Sequence, residues 1–147
     1  MVKEQFLRIE RFIGSEALER LEKKTVAVAG VGAVGGFAAE ALVRSGIGRI
    51  KILDFDTISE TNINRQIIAT HKTVGRLKTE VMEERLKDIN PDLIVEAYPV
   101  FLSEENHHLL FDGADLVLDC IDSLNPKVNL LADAFKNNVP IISSMGA

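Results

Sequence analysis

The sequence predicts an α/β fold of the Rossmann type, a doubly wound and mainly parallel sheet with helices on both faces and an N-terminal helical extension. Three observations predict this fold. Short β-branched runs alternate with longer amphipathic stretches, a G-x-G-x-x-G turn at residues 30–35 follows the first run, and Asp54 ends the second run. Alternation of strands and helices produces right-handed crossovers and therefore parallel strands.

The chain starts with two short predicted helices. Apolar residues recur at near-helical spacing from Phe6 to Leu21, and the pattern breaks at Gly14 and Ser15, where Ser15 is suited to cap the second helix. We expect residues 1–22 to form a helical extension and residues 23–147 to form the Rossmann-like core of a single domain. A composition with 46% hydrophobic residues among 147 supports one core of that size.

The remaining elements follow in order along the chain. The β-branched run 26–29 predicts the first strand, the small residues 33–45 predict a helix, and 50–53 predict the second strand. A polar loop over 54–64 then leads to a helix over 76–89. Five elements complete the prediction: a strand at 93–98, a short helix at 103–111, a strand at 115–121, a helix at 126–137 and a strand at 140–144.

Composition limits the classes of protein that fit. A formal net charge of -5 argues against a surface built throughout for nucleic acid. One cysteine excludes an internal disulfide, and the sequence shows neither a signal peptide nor an apolar run long enough for a membrane. We therefore expect a cytoplasmic protein. Because the last predicted strand has no helix after it, we also expect that the domain lacks its C-terminal part.

The glycine turn is the first feature that indicates chemistry. Gly30, Gly32, Ala33 and Gly35 lie between a strand and a helix, where backbone amides can approach a phosphate chain. Asp54 ends the next strand, where a carboxylate can accept hydrogen bonds from ribose hydroxyls. These residues predict an adenine nucleotide, and tight packing of strand against helix is the structural alternative.

The segment after Asp54 favours ATP over NAD. It supplies two cations and several amide groups, which suit the charge of a triphosphate. For Arg65 or Lys78 considered alone, the alternative explanation is an ordinary solvated charge on the surface. The candidate phosphate-binding residues are Asn62, Asn64, Arg65, Gln66 and Lys78.

Acidic residues at the end of the fourth predicted strand indicate a metal. Asp122 can hold Mg²⁺ against phosphates, since Mg²⁺ takes one or two carboxylates and completes its shell with water and phosphate oxygens. A helix cap is the alternative role for Asp122. We expect Asp119 to orient neighbouring groups and Cys120 to pack rather than act as a nucleophile. The histidines lack ligand spacing and are predicted to lie on the surface: His71, His107 and His108.

Taken together, these motifs resemble the ThiF/MoeB/HesA family, relatives of the ubiquitin-activating enzymes, over nearly the whole chain. The motifs are the glycine turn, Asp54-Phe55-Asp56, Asn62-Ile63-Asn64-Arg65-Gln66, Lys78 and Asp119-Cys120-Ile121-Asp122. The resemblance implies adenylation of a carboxylate with ATP and Mg²⁺. It assigns the ribose to Asp54, the phosphates to Asn62, Arg65 and Lys78, and the metal to Asp122, with Asp56, Asn64 and Gln66 in the same nucleotide site.

The resemblance also implies a catalytic arginine from the N-terminal helix, often supplied across a homodimer. Arg8 is the best match and Arg11 the second choice. We therefore expect a homodimer in which Arg8 reaches the neighbour's phosphates and in which Phe6, Ile9 and Ile13 bury exposed apolar surface.

Within the family, the chain looks most similar to the tRNA threonylcarbamoyladenosine dehydratases. The stretches that carry this likeness are 44–48, 62–66, 73–76, 89–91 and 143–147. The branch implies ring closure of N6-threonylcarbamoyladenosine in tRNA, with tRNA bound well by the full-length protein and weakly by this chain.

Three alternatives remain open at this level. The first is adenylation of the C-terminus of a ubiquitin-like sulfur carrier, with a sulfur-carrier or cysteine desulfurase partner. Activators of that kind usually have Leu in place of Ile63 and Asn in place of Ser123. The others are a nicotinamide-dependent oxidoreductase and a binding module that has lost catalysis.

Overall fold

The structure, a computed structural model, describes residues 2–144 and contains a five-stranded parallel sheet in the order β3-β2-β1-β4-β5. This is the order of the first five strands of a Rossmann sheet. Each neighbouring pair of strands is parallel, which confirms the predicted fold class. The strands are β1 (Thr25–Ala29), β2 (Arg49–Leu53), β3 (Ile94–Tyr98), β4 (Leu116–Asp119) and β5 (Ile141–Ser143).

Residues 2–144 form six α-helices and three short 3-10 helices, of which the first 3-10 helix and the first two α-helices precede the first strand. The α-helices are α1 (Leu7–Ile13), α2 (Ser15–Glu22), α3 (Gly35–Arg44), α4 (Lys78–Ile89), α5 (His108–Phe111) and α6 (Leu124–Lys136). The 3-10 helices are Glu4–Phe6, Glu60–Asn62 and Glu104–Asn106. Every predicted element is present, and the bounds differ from the predictions by at most a few residues. None of the helices in residues 2–144 is long and apolar enough to cross a membrane.

The core has two layers, one on each face of the sheet. On one face, Val28 and Ile52 pack with residues of α3 and α4, among them Val43 and Met82. On the other face a second cluster joins the sheet to α5 and α6 through Ala27, Leu53, Leu110, Val117 and Leu130. Because alternate residues of β1 enter different clusters, all five residues of this strand are buried. Helices therefore cover both faces of the sheet.

The N-terminal helices differ from the prediction in two respects. Gly14, with φ +87°, precedes α2 and Ser15 is the first helical residue, so the Ser15 hydroxyl does not cap the helix and instead donates to Glu10 at 2.8 Å. Phe6 is 2% exposed, because it packs within its own chain, and is not free to cover a partner. Phe12 is the exposed aromatic residue of α1, at 88%.

The strand order brings the predicted site residues to one edge of the sheet. Ala29, at the end of β1, pairs with Leu53 of β2 on one side and with Asp119 of β4 on the other. The residues that follow these three strands therefore meet at the carboxyl edge, where the strand order reverses. The stretch 143–147, one of those that resemble the dehydratase branch, passes beyond the described residues after 144.

Candidate active site

The glycine turn combines residues that the fold needs with one that leaves space for a ligand. Gly30 has φ +84°, and its amide donates to the Leu53 carbonyl at 2.8 Å. A Cβ at Gly35 would lie 1.7 Å from the Gly30 oxygen, so side chains are excluded at the start of α3. At Gly32 the nearest atom to such a Cβ is Gln66 Nε2 at 3.4 Å. Gly32 therefore clears room in the site without being required by packing.

A cavity of about 190 Å³ lies over this turn. It brings together most of the predicted nucleotide residues, which are Gly30, Gly32, Ala33, Asp54, Asp56, Arg65, Gln66, Lys78 and Asp122. Four predicted residues do not line it, namely Arg8, Gly35, Asn62 and Asn64.

Asp54 is tied to the glycine turn by its own carboxylate. One oxygen accepts the Val31 amide at 2.9 Å, and the other accepts the Asp56 amide at 2.9 Å. Burial raises the pKa of this carboxyl, and the two backbone hydrogen bonds oppose the rise. Each oxygen keeps a further lone pair, so the carboxylate can still accept from hydroxyl groups of a ligand in the cavity.

Lys78 is the first residue of α4, and its side chain is almost entirely buried. Its ammonium lies 3.3 Å from the Asp56 carboxylate, while its backbone amide donates to the Asp56 carbonyl at 3.0 Å. The beginning of an α-helix carries partial positive charge, which adds to the ammonium. Together these groups offer an anion a concentrated positive field in the cavity wall.

The loop before α4 presents Arg65 to the cavity. Its guanidinium donates to the Thr61 carbonyl at 3.0 Å and to Asn64 Oδ1 at 2.9 Å, so Asn64 orients this arginine. Asn62 accepts the Ser59 amide through Oδ1 at 3.0 Å, closing a capping box on the 3-10 helix. Both asparagines thus support the loop that carries Arg65.

Gln66 lies beside Gly32 in the cavity wall and is 7% exposed. Its Oε1 is buried and has no hydrogen-bond partner within the described chain. A buried amide oxygen without a partner is costly, which favours a ligand or water that satisfies it.

The loop after β4 contributes Asp122, which is exposed and lines the cavity. Ser123, not Asp122, occupies the N-cap position of α6, which removes the alternative role for Asp122. Burial and the charge of Asp119 raise the pKa of the Cys120 thiol to about 11, which keeps it protonated at neutral pH. Cys120 is therefore a packing residue, as predicted.

A magnesium ion fits this arrangement. Residues 2–144 contain no group of three or more His, Cys, Asp or Glu side chains that could hold a metal by themselves. Mg²⁺ needs no such cage, because one carboxylate, water and phosphate oxygens complete its octahedron. Asp122 lines the cavity and supplies one carboxylate of the kind that Mg²⁺ binds.

Two aromatic residues of the cavity and one buried lysine behind it were not predicted. Phe55 and Phe101 line the cavity with their ring centroids 5.0 Å apart. Each lies within three residues after the end of a strand, which was the available signal. Lys127 binds Asp119 at 2.6 Å. The signal for Lys127 was its place on the buried face of α6 with Leu130 and Ala134.

The prediction that every histidine lies on the surface was wrong for His107. It is 1% exposed and its Nδ1 lies 2.8 Å from Asp133 Oδ2, because α6 covers it on that face of the sheet. Arg8 and the alternative Arg11 are exposed on α1, and neither lines the cavity of its own chain.

Comparisons with known proteins agree with the resemblance inferred from the motifs. A tRNA threonylcarbamoyladenosine dehydratase of Bacillus subtilis is 49% identical over 144 residues, covering 97% of this chain and 57% of the relative. A sulfur carrier protein adenylyltransferase of Thermus thermophilus is 38% identical over 122 residues, covering 83% of this chain and 45% of the relative. The chain spans about half the length of the curated relatives it matches.

A solved structure agrees as well. The crystal structure of E. coli tRNA N6-threonylcarbamoyladenosine dehydratase in complex with ATP superposes with a TM-score of 0.92 and 39% identity, over 95% of this chain and 58% of that chain. The ThiF family profile matches residues 4–147. This match covers nearly the whole chain, and the glycine turn and the cavity beside Asp54 agree with it. The chain therefore belongs to the ThiF family.

Proposed function

We propose that this chain is the ATP-binding part of a cytoplasmic enzyme that adenylates a carboxylate, and that the carboxylate is that of N6-threonylcarbamoyladenosine in tRNA. The observation that carries the proposal is the convergence of Asp54, Arg65, Lys78 and Asp122 on one cavity over a glycine turn. The similarity to dehydratases, one of them solved with ATP, favours this substrate over others.

The proposed chemistry has two steps. In the first, a carboxylate oxygen attacks the α-phosphorus of ATP, the bond from that phosphorus to the bridging oxygen breaks, and pyrophosphate leaves. In the second, an internal nitrogen of the modified nucleoside attacks the activated carbonyl carbon, AMP leaves, and the nitrogen loses its proton. The nucleoside has then lost the elements of one water. Neither step requires a covalent bond to the protein.

Each charged residue has a distinct task in this scheme. Asp54 accepts hydrogen bonds from the ribose hydroxyls, while Arg65 and Lys78 stabilise the charge on the phosphates. Asp122 would hold Mg²⁺, which when bound neutralises phosphate charge. Asn62 and Asn64 assist by fixing the loop of Arg65. Gln66 contributes its unpaired amide oxygen as a hydrogen-bond acceptor.

The substrate is tested with nucleosides from tRNA. A chain extended to the length of its relatives is incubated with tRNA, ATP and Mg²⁺. Threonylcarbamoyladenosine in the tRNA should then lose one water, which mass spectrometry of the digested tRNA detects as a lower nucleoside mass. The 147-residue chain should bind tRNA weakly, because its net charge is -5 and RNA binding needs clustered cations. A Lys78→Met variant of the extended chain controls for contaminating activity.

Adenylation of a ubiquitin-like sulfur carrier is the second candidate, and the 38% identity to a sulfur carrier adenylyltransferase favours it. The same incubation separates the two functions. If the extended enzyme leaves the nucleoside unchanged but adenylates the C-terminal carboxylate of a carrier protein, the second candidate replaces the first.

The N-terminal helix is proposed to complete the site in a homodimer. Arg8 does not line the cavity of its own chain, and Phe12 on the same helix is 88% exposed, so a second copy would bury the aromatic ring and receive the arginine. Sedimentation velocity at micromolar concentration should give a dimer that Phe12→Asp dissociates. A monomeric wild-type chain would contradict this arrangement.

A further inference from the structure

A buried network joins the end of β4 to the two elements beside it. Asp119 is completely buried, and its Oδ2 accepts from Lys127 Nζ at 2.6 Å and from the Ser143 hydroxyl at 2.6 Å. The lysine also donates to the Ser144 carbonyl at 2.7 Å. One carboxylate thus connects β4, the first turns of α6 and the end of β5.

The second oxygen of the same carboxylate fixes the loop that carries Asp122. Asp119 Oδ1 accepts the Ile121 amide at 3.1 Å, so the backbone is held one residue before Asp122. On the far side of Asp122, α6 begins at Leu124 and is held to Asp119 through Lys127. The loop is therefore anchored on both sides of Asp122 by a single side chain.

The network depends on the balance of its two charges. A buried carboxylate is tolerated when it is paired and fully hydrogen-bonded, as Asp119 is by Lys127, Ser143 and the Ile121 amide. Without the lysine, Asp119 would place an uncompensated negative charge three residues from Asp122, which lines the cavity. Hence Lys127 also keeps the cavity receptive to an anion.

We propose that Asp119 and Lys127 are positioning residues that hold Asp122 where it can bind the Mg²⁺ of ATP. The proposal rests on the function proposed above and assigns a task to two buried residues that do not line the cavity. Groups that orient a metal ligand typically affect metal affinity or activity by about 10- to 100-fold when replaced.

The test measures how much Mg²⁺ strengthens ATP binding to the 147-residue chain. Calorimetry with and without EDTA gives this enhancement for wild type, Asp122→Asn, Lys127→Met and the double variant Asp119→Leu/Lys127→Met, which leaves no buried charge unpaired. Ser143→Ala is a milder change that removes one hydrogen bond to Asp119. The matched control is Lys51→Met, because Lys51 is equally buried at 6% exposure but donates to the Leu109 and Asp112 carbonyls, outside the cavity.

Thermal melting accompanies each titration, so that affinities refer to folded protein. We expect both Lys127 variants to lose about 10-fold or more of the Mg²⁺ enhancement, as Asp122→Asn does, and Ser143→Ala to lose less. Lys51→Met should lower the melting temperature and keep the enhancement. If both Lys127 variants keep it, the positioning role is wrong while the proposed function stands. If Mg²⁺ does not change the ATP affinity of the wild-type chain, both the positioning role and the proposed function are wrong.

Discussion

The ammonium of Lys78 lies 3.3 Å from the carboxylate of Asp56, and only 7% of the lysine side chain is exposed whereas 48% of the aspartate side chain is. The lysine is thus held in the cavity wall by a partner that water already solvates. A triphosphate entering the cavity can therefore replace Asp56 as the partner of the lysine, because the Asp56 carboxylate remains solvated by water.

Replacing Lys78 with Met should weaken ATP binding by about ten-fold or more, since a hydrogen bond to a charged group contributes about 1.5–3 kcal/mol. AMP, which lacks the outer phosphates, should lose less affinity. Calorimetric titration of both nucleotides measures the difference. Equal losses for ATP and AMP would place Lys78 away from the outer phosphates.

Arg65→Ala should also reduce ATP affinity, while the free energy of unfolding changes by no more than about 0.5 kcal/mol, as for most exposed positions. The matched control is Arg20→Ala on α2, whose arginine pairs with Glu16 at 3.1 Å and does not line the cavity. Urea denaturation and ATP titration of both variants separate stability from binding. A large stability loss with unchanged ATP affinity would make Arg65 a structural residue.

The two glycines Gly32 and Gly35 should respond differently to the same methyl group. Gly35→Ala should lower the free energy of unfolding by about 1–3 kcal/mol or more, because its Cβ would lie 1.7 Å from the Gly30 oxygen and the backbone must move. Gly32→Ala should fold, since its Cβ would meet no atom closer than 3.4 Å, yet bind ATP weakly because the methyl occupies the cavity wall. Melting temperature and ATP affinity check both. Unimpaired ATP binding by Gly32→Ala would show that no phosphate approaches this turn.

Cys120 gives a prediction for pH dependence, and it is the single cysteine of the chain. Because burial raises its pKa to about 11 from 9.0, the thiolate fraction at pH 8 is about 100-fold below that of an ordinary thiol. Alkylation by iodoacetamide should be slower in the native chain by at least that factor, and should accelerate about ten-fold per pH unit from pH 7 to 9. Equal alkylation rates in the native and the urea-unfolded chain would contradict the raised pKa of Cys120.

Much of the site follows from short-range sequence signals. The glycine turn and Asp54 are recognisable because a local motif fixes the strand, turn and helix, and parallel strands bring their carboxyl ends to one edge. Lys78 and Arg65 are predictable from their charge, because cations in the segment after Asp54 suit the phosphates of a nucleotide. These residues do line one cavity.

The remainder depends on tertiary packing that spacing does not reveal. Nothing local distinguishes His107 from His108, and only the packing of α6 over α5 buries the first and leaves the second exposed. Phe6 is buried by its own chain for the same reason. Lys127 shares helical spacing with the buried Leu130 and Ala134, but the sequence does not show what its ammonium binds, and only the fold brings Ser143 of β5 within 3.3 Å of it.

Binding of Mg-ATP in this cavity is the basis of the proposed adenylation, and calorimetric titration of the 147-residue chain with Mg-ATP and with NAD measures it. Arg65, Lys78 and Asp122 complement a triphosphate and its metal, whereas Gly32 and Asp54 would serve either nucleotide equally. We predict that Mg-ATP binds at least about ten-fold more tightly than NAD, a difference of about 1.4 kcal/mol. Equal or tighter binding of NAD would rule out the proposed ATP site.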